Sequence, residues 1–142
     1  MGRILCATRG GEASRRTQDE AIALAKKGDD TLVFLYVIDL SFLNQTAAPL
    51  VVDIDSQLEK MGRFQLAMAC EAAEAAGVPA RSVVRQGRLR VELVAATKET
   101  EANLVVLGRP VDQHQQAIFD ETALQAFATS LQAITGAEVR IL

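Results

Sequence analysis

Arg9, Arg88, Arg90 and Arg109 each stand just beyond a short apolar run, where a chain that alternates strands and helices turns at one end of its sheet. A guanidinium is a planar, permanently charged fork of donors suited to bidentate contact with phosphate or carboxylate, so these residues are candidates for one anion-binding rim. The competing reading is that they pair with Glu12, Asp39 or Asp112 or are simply solvated. The stretches Arg9-Gly10-Gly11 and Gly108-Arg109-Pro110 interrupt apolar runs, and glycine lets backbone N–H groups approach a phosphate. His114 is the only histidine, which removes any multi-histidine metal site and leaves one candidate for nucleophile activation, read as a solvated residue. Asp53 and Asp55 have the spacing of an acid–base or metal pair, but they precede a predicted helix whose positive end favours acids, and that reading is preferred. Cys6 and Cys70 sit inside apolar segments and read as reduced core thiols. No catalytic residue and no metal ligand is assigned.

The elements that would position these residues follow from periodicity. Ile4–Ala7, Thr31–Ile38 and Asn103–Leu107 are continuous apolar runs, as expected for parallel strands covered on both faces. Ala80–Arg85 and Ala137–Leu142 partly alternate and read as strands near sheet edges. Between them, Thr17, Ala21, Leu24 and Ala25 mark a first helix ended by Gly28 in a left-handed conformation. The irregular stretch from Leu40 to Asp55 precedes a capping box, Ser56-Gln57-Leu58-Glu59. That box predicts a helix over about 56–76 with Met61, Phe64, Met68, Ala72 and Ala75 inward. A third helix is predicted over about 90–100 with Val91, Val94 and Ala95 inward. A last one is capped by Asp120 and packs Leu124, Phe127, Ala128 and Leu131.

Four strand-to-strand connections through helices require right-handed crossovers and an α/β fold: an open, Rossmann-like five-stranded parallel sheet with helices on both faces. The residues leave two doubly wound orders open, flavodoxin-like and 3-2-1-4-5, each with the first strand central. The chain has 142 residues and is 49% hydrophobic, which fits one domain spanning 1–142. A net charge of -3 and an aromatic share of 4% without Trp argue against nucleic acid and anionic membrane as partners. The chain opens directly into a strand and holds no apolar run of spanning length, so a cytoplasmic protein is expected.

Taken in order, Ile4-Leu5-Cys6-Ala7-Thr8, Leu35-Tyr36-Val37-Ile38-Asp39, Val84-Arg85-Gln86-Gly87 and Asn103-Leu104-Val105-Val106-Leu107-Gly108 resemble the universal stress protein family. The resemblance covers nearly the whole chain. It implies the adenine nucleotide α-hydrolase-like sheet order 3-2-1-4-5, homodimers through the last strand, and, in one branch, ATP binding through G-x-x-G-x9-G followed by Ser or Thr. Gly108 matches the first glycine and Thr122 the final hydroxyl, while Val37 occupies a strand position that meets adenine in that branch. Val111 and Glu121 replace the other two glycines, and Arg9 replaces an acid. A carboxylate at the first turn of the last helix satisfies its dipole and repels phosphate, so ATP binding is expected to be lost or weak.

Two other resemblances are slight. Arg9-Gly10-Gly11-Glu12-Ala13-Ser14 is similar to the S-G-G-x-D-S loop of ATP pyrophosphatases but lacks its first Ser and its Asp, and a response-regulator receiver would need an acidic pair where Arg9 stands. The expectation is therefore a non-catalytic binding or regulatory module, homodimeric through Val139 and Ile141, that requires no cofactor. The alternative is a protein binding ATP, AMP or another small anion through Arg9 and Arg109, with residual ATPase activity.

Overall fold

The apolar runs that do not alternate become strands buried on both faces. In the computed structural model, which describes residues 2–8, 11–38, 48–108 and 121–141, the order of elements is β1 (Arg3–Thr8), α1 (Gly11–Gly28), β2 (Thr31–Ile38), α2 (Ala48–Ala75), β3 (Ala80–Gln86), α3 (Leu89–Thr100), β4 (Leu104–Leu107), α4 (Glu121–Thr135) and β5 (Glu138–Ile141). The strands are parallel in the order β3-β2-β1-β4-β5, the expected 3-2-1-4-5 arrangement. Central β1 pairs Thr8 with Tyr36 of β2, and Cys6 with Val106 of β4.

Strand alternation divides the core in two. Ile4, Cys6, Phe34 and Val106 face Ala21, Ile22 and Ala25 of α1 and Leu66, Ala69 and Ala73 of α2. Leu5, Leu35, Val105 and Leu107 face Leu93 and Ala96 of α3 and Phe127 and Leu131 of α4. Helices α1 and α2 therefore cover one face, and α3 and α4 the other. Edge positions for β3 and β5 agree with their alternating sequences. Among the described residues β5 pairs only with β4, and the Val139 N–H donates to Gln132 Oε1 at 2.9 Å.

Several helix expectations are corrected. Helix α2 begins at Ala48, with Pro49 in the first turn where its missing N–H is not needed, so the capping box lies inside the helix. Asp53 and Asp55 also lie within it, and its first turn holds no acid. Its inward stripe is Gly62, Leu66, Ala69 and Ala73, whereas Met61, Phe64 and Met68 are 54%, 67% and 46% exposed. Small residues face the sheet because the helix sits close to it: a Cβ on Gly62 would stand 2.7 Å from the Tyr36 ring. In α3 the buried positions are Leu93, Ala96, Thr97 and Thr100, while Val91 is exposed. The two threonines tolerate burial because their hydroxyls donate to the carbonyls of Leu93 and Ala96, each at 2.7 Å. At the end of α1 the left-handed residue is Asp29, φ 55°, and not Gly28.

Candidate functional site

In a doubly wound sheet the crevice opens beyond the carboxyl ends of the strands where the chain order reverses. Here that place lies between β1 and β4, because α1 carries the chain from β1 to one side and α4 carries it from β4 to the other. Helices α1 and α4 begin at Gly11 and Glu121, so their positive ends belong to this end of the sheet.

The described floor of the crevice is polar and closely packed. Thr8 ends β1 with its side chain on the α1 face, and its hydroxyl accepts a hydrogen bond from Gln18 Nε2 at 2.7 Å. Thr8, Thr17 and Gln18 are all buried. Gly108 follows β4 directly, and a Cβ there would stand 2.7 Å from Thr17 Oγ1. The glycine that the sequence offers as the first of a phosphate loop is thus also required by the approach of α1. The sequence pattern sets Thr17 with Ala21, Leu24 and Ala25 on one face of α1, and Thr17 is buried there, whereas it gives Thr8 and Gln18 no place in a site. The available signal was the spacing of Thr17, Gln18, Ala21 and Ala25, which puts two polar residues on the sheet-facing stripe.

Of the other predicted positions, those that are described lie apart from one another. Val37 is half-buried on the opposite face of the sheet, against the second core. Arg88 is exposed and stands at the N-cap of α3, φ -76° and ψ 130°, with no side-chain hydrogen bond capping that helix. It follows β3, three strand spacings or about 14 Å from β4. The Arg90 guanidinium lies 5.7 Å from the centre of the Phe127 ring, a cation–π distance that ties it to α4. Thr122 is the second residue of α4, with its side chain outside the described set. Arg9 and Arg109 lie outside the described residues, as do Glu12, Asp39, Val111, Asp112, His114 and Asp120 where the side-chain readings are concerned. Val139 and Ile141 are half-buried on β5 and pack against the second core.

Burial raises the Tyr36 phenol above its ordinary value and pushes the Cys6 thiol up to about 12. Both cysteines are free. The strongest described ion network lies on the edge of the sheet, where Arg85 bridges Glu92, at 2.9 Å, and Glu99. Among the described residues no cluster of three His, Cys, Asp or Glu side chains is placed to hold a metal, and no helix is long and apolar enough to cross a membrane. A separate cavity of about 330 Å³ lies at the amino ends of β1, β2 and β3, lined by Arg3, Thr31, Val33 and Arg81 among others. Arg3 is already engaged there with the Thr100 carbonyl and Glu101.

Comparison with known proteins agrees with this architecture. The model of the universal stress protein family matches residues 1–134. No curated protein matches the chain. Among solved structures, a universal stress protein family member from Burkholderia pseudomallei is 22% identical with a TM-score of 0.74, over 99% of this chain and 95% of that one. UspA from Lactobacillus plantarum is 14% identical with a TM-score of 0.80, over 99% and 97%. A family protein from Arabidopsis thaliana with AMP bound is 11% identical with a TM-score of 0.69, over 100% and 91%.

Proposed function

The chain belongs to the universal stress protein family, and on that footing we propose that it is a non-catalytic binding and regulatory module in which ATP binding is lost or weak. The observation that carries this reading is the start of α4 at Glu121. The ATP-binding branch has glycine at that position, and a carboxylate-bearing residue at the helix's positive end competes with a phosphate for the same field. Gly108 does not weigh against this, since its lack of a side chain is already required by Thr17. Homodimerisation through β5 is part of the proposal. The outer edge of β5 has no partner strand among the described residues, and Val139 and Ile141 are half-buried on it. Titration calorimetry with Mg-ATP is expected to give no binding below about millimolar concentration, the level at which only about 4 kcal/mol of binding energy remains. Low-micromolar affinity would overturn the reading.

The Arabidopsis relative with AMP favours a second reading, a module that binds a nucleotide or another small anion with the arginines in place of the glycine loop. Arg9, Arg109 and Arg88, with Thr122 and Val37, are its proposed contacts. Nucleotide that copurifies with the protein, and is lost in Arg9→Ala/Arg109→Ala, would select it. Residual ATPase activity in the same preparation would extend it to catalysis.

A further inference from the structure

Helix α2 carries an apolar stripe that the fold leaves open. Met61, Phe64, Met68, Ala72 and Ala75 recur at spacings of three and four, all are exposed, and they lie on the side away from Gly62, Leu66, Ala69 and Ala73. The stripe is about 21 Å long at the helical rise. A contiguous row of this kind is unusual on a monomer surface, and its length suits the seam of a helix pair.

The charges beside the stripe bear on which partner would fit it. Along one flank Lys60 and Arg63 occupy the amino half, and Glu71 and Glu74 the carboxyl half. All four are exposed. Among the described residues Lys60, Glu71 and Glu74 have no ion-pair partner, while Arg63 bonds Glu59 one turn away at 2.9 Å. In an antiparallel helix pair related by a two-fold axis, like flanks lie side by side and run in opposite directions. Placing the axis at Ala67 sets Lys60 opposite the second copy's Glu74 and, in the same register, Arg63 opposite its Glu71. That register brings Met61 against the second copy's Ala72 and Ala75, and Phe64 against its Met68 and Ala72. One axis thus matches both charge pairs and the apolar row. We propose that α2 is a homotypic docking face, on which a second copy of this chain packs its own α2 antiparallel about Ala67.

This face is distinct from the β5 edge. Helix α2 packs on β2 and β3, at the side of the sheet remote from β5, so the two contacts are compatible and each doubling of mass can be removed separately. Sedimentation velocity of the full chain from about 1 to 200 µM is the test, at low and moderate salt. The wild type is expected to show a concentration-dependent doubling of mass that Phe64→Glu abolishes. Lys60→Glu places like charges opposite each other twice and should weaken the doubling by roughly tenfold or more, while Lys60→Glu/Glu74→Lys restores it. The substituted side chains are exposed, so unchanged thermal melting separates loss of docking from loss of fold. A doubling insensitive to Phe64→Glu, or a double variant no better than Lys60→Glu, overturns the proposal even if a β5 dimer persists. So does a protein that never doubles in mass over this range.

Discussion

Gly108→Ala tests whether this glycine serves packing. The added methyl would stand 2.7 Å from Thr17 Oγ1 and 3.5 Å from Thr17 Cβ, so the Thr17 side chain, α1 or the end of β4 must shift. Overpacking in a close-packed interior typically destabilises by about 1–3 kcal/mol. Alanine offsets part of this, about 0.4–1 kcal/mol, by stiffening the unfolded chain, since Gly108 is not among the glycines with positive φ. The net expectation is a loss of about 1–2 kcal/mol. With a urea m-value of about 2 kcal/mol/M, that lowers the unfolding midpoint by roughly 0.5–1 M. Thr17→Ala loses the hydroxyl's own contacts but opens the space the methyl needs. The double variant should therefore be more stable than the sum of the two single changes by about 1 kcal/mol, measured as a double-mutant cycle in urea. Additivity within about 0.5 kcal/mol would refute the packing role and return Gly108 to the ligand argument.

Two further outcomes follow from the same core. The buried Cys6 thiol, pushed up to about 12 from 9.0, stays neutral in the native chain while the unfolded chain ionises. Its contribution is fully present below pH 9 and is lost as pH rises from about 9 to 12, reaching roughly 2 kcal/mol by pH 10.5. The stability gap between wild type and Cys6→Ala should therefore shift in the variant's favour between pH 8 and 10.5, and a constant gap in urea unfolding contradicts the burial. The orientation of α2 predicts a contrast between neighbouring residues. Leu66→Ala should cost about 2–5 kcal/mol, whereas Phe64→Ala should stay within about 0.5 kcal/mol when measured at a concentration where the chain is monomeric. Equal losses would place α2 in the orientation expected from its large apolar residues.

The strands were legible because a strand buried on both faces leaves an unmistakable trace, an apolar run with no alternation, as in Leu32–Leu35. Their order followed from the helical crossovers and the resemblance. Helix orientation was less legible, for a physical reason. Patterning by hydrophobicity assumes that large apolar residues face inward, but α2 approaches Tyr36 through Gly62 and alanines, and α3 buries threonines whose hydroxyls are satisfied within the helix. Small residues and self-satisfied hydroxyls carry little signal on any hydropathy scale. The start of α2 was missed because Pro49 looked like a loop residue, although proline is well suited to a first helical turn.

The site shows the same limitation more sharply. Gly108 is named by the motif, yet its packing neighbour is invisible in the sequence, since Thr17 comes up against it, and Gln18 bonds Thr8, only once α1 lies over the ends of β1 and β4. A glycine in a motif position has two independent reasons to exist, approach of a ligand from outside and approach of a helix from below. Here the second is sufficient. Gly108 is therefore a weak witness for nucleotide binding, and the charge at the start of α4 is the stronger one. Glu121 there has a definite electrostatic sign, and that sign opposes a phosphate.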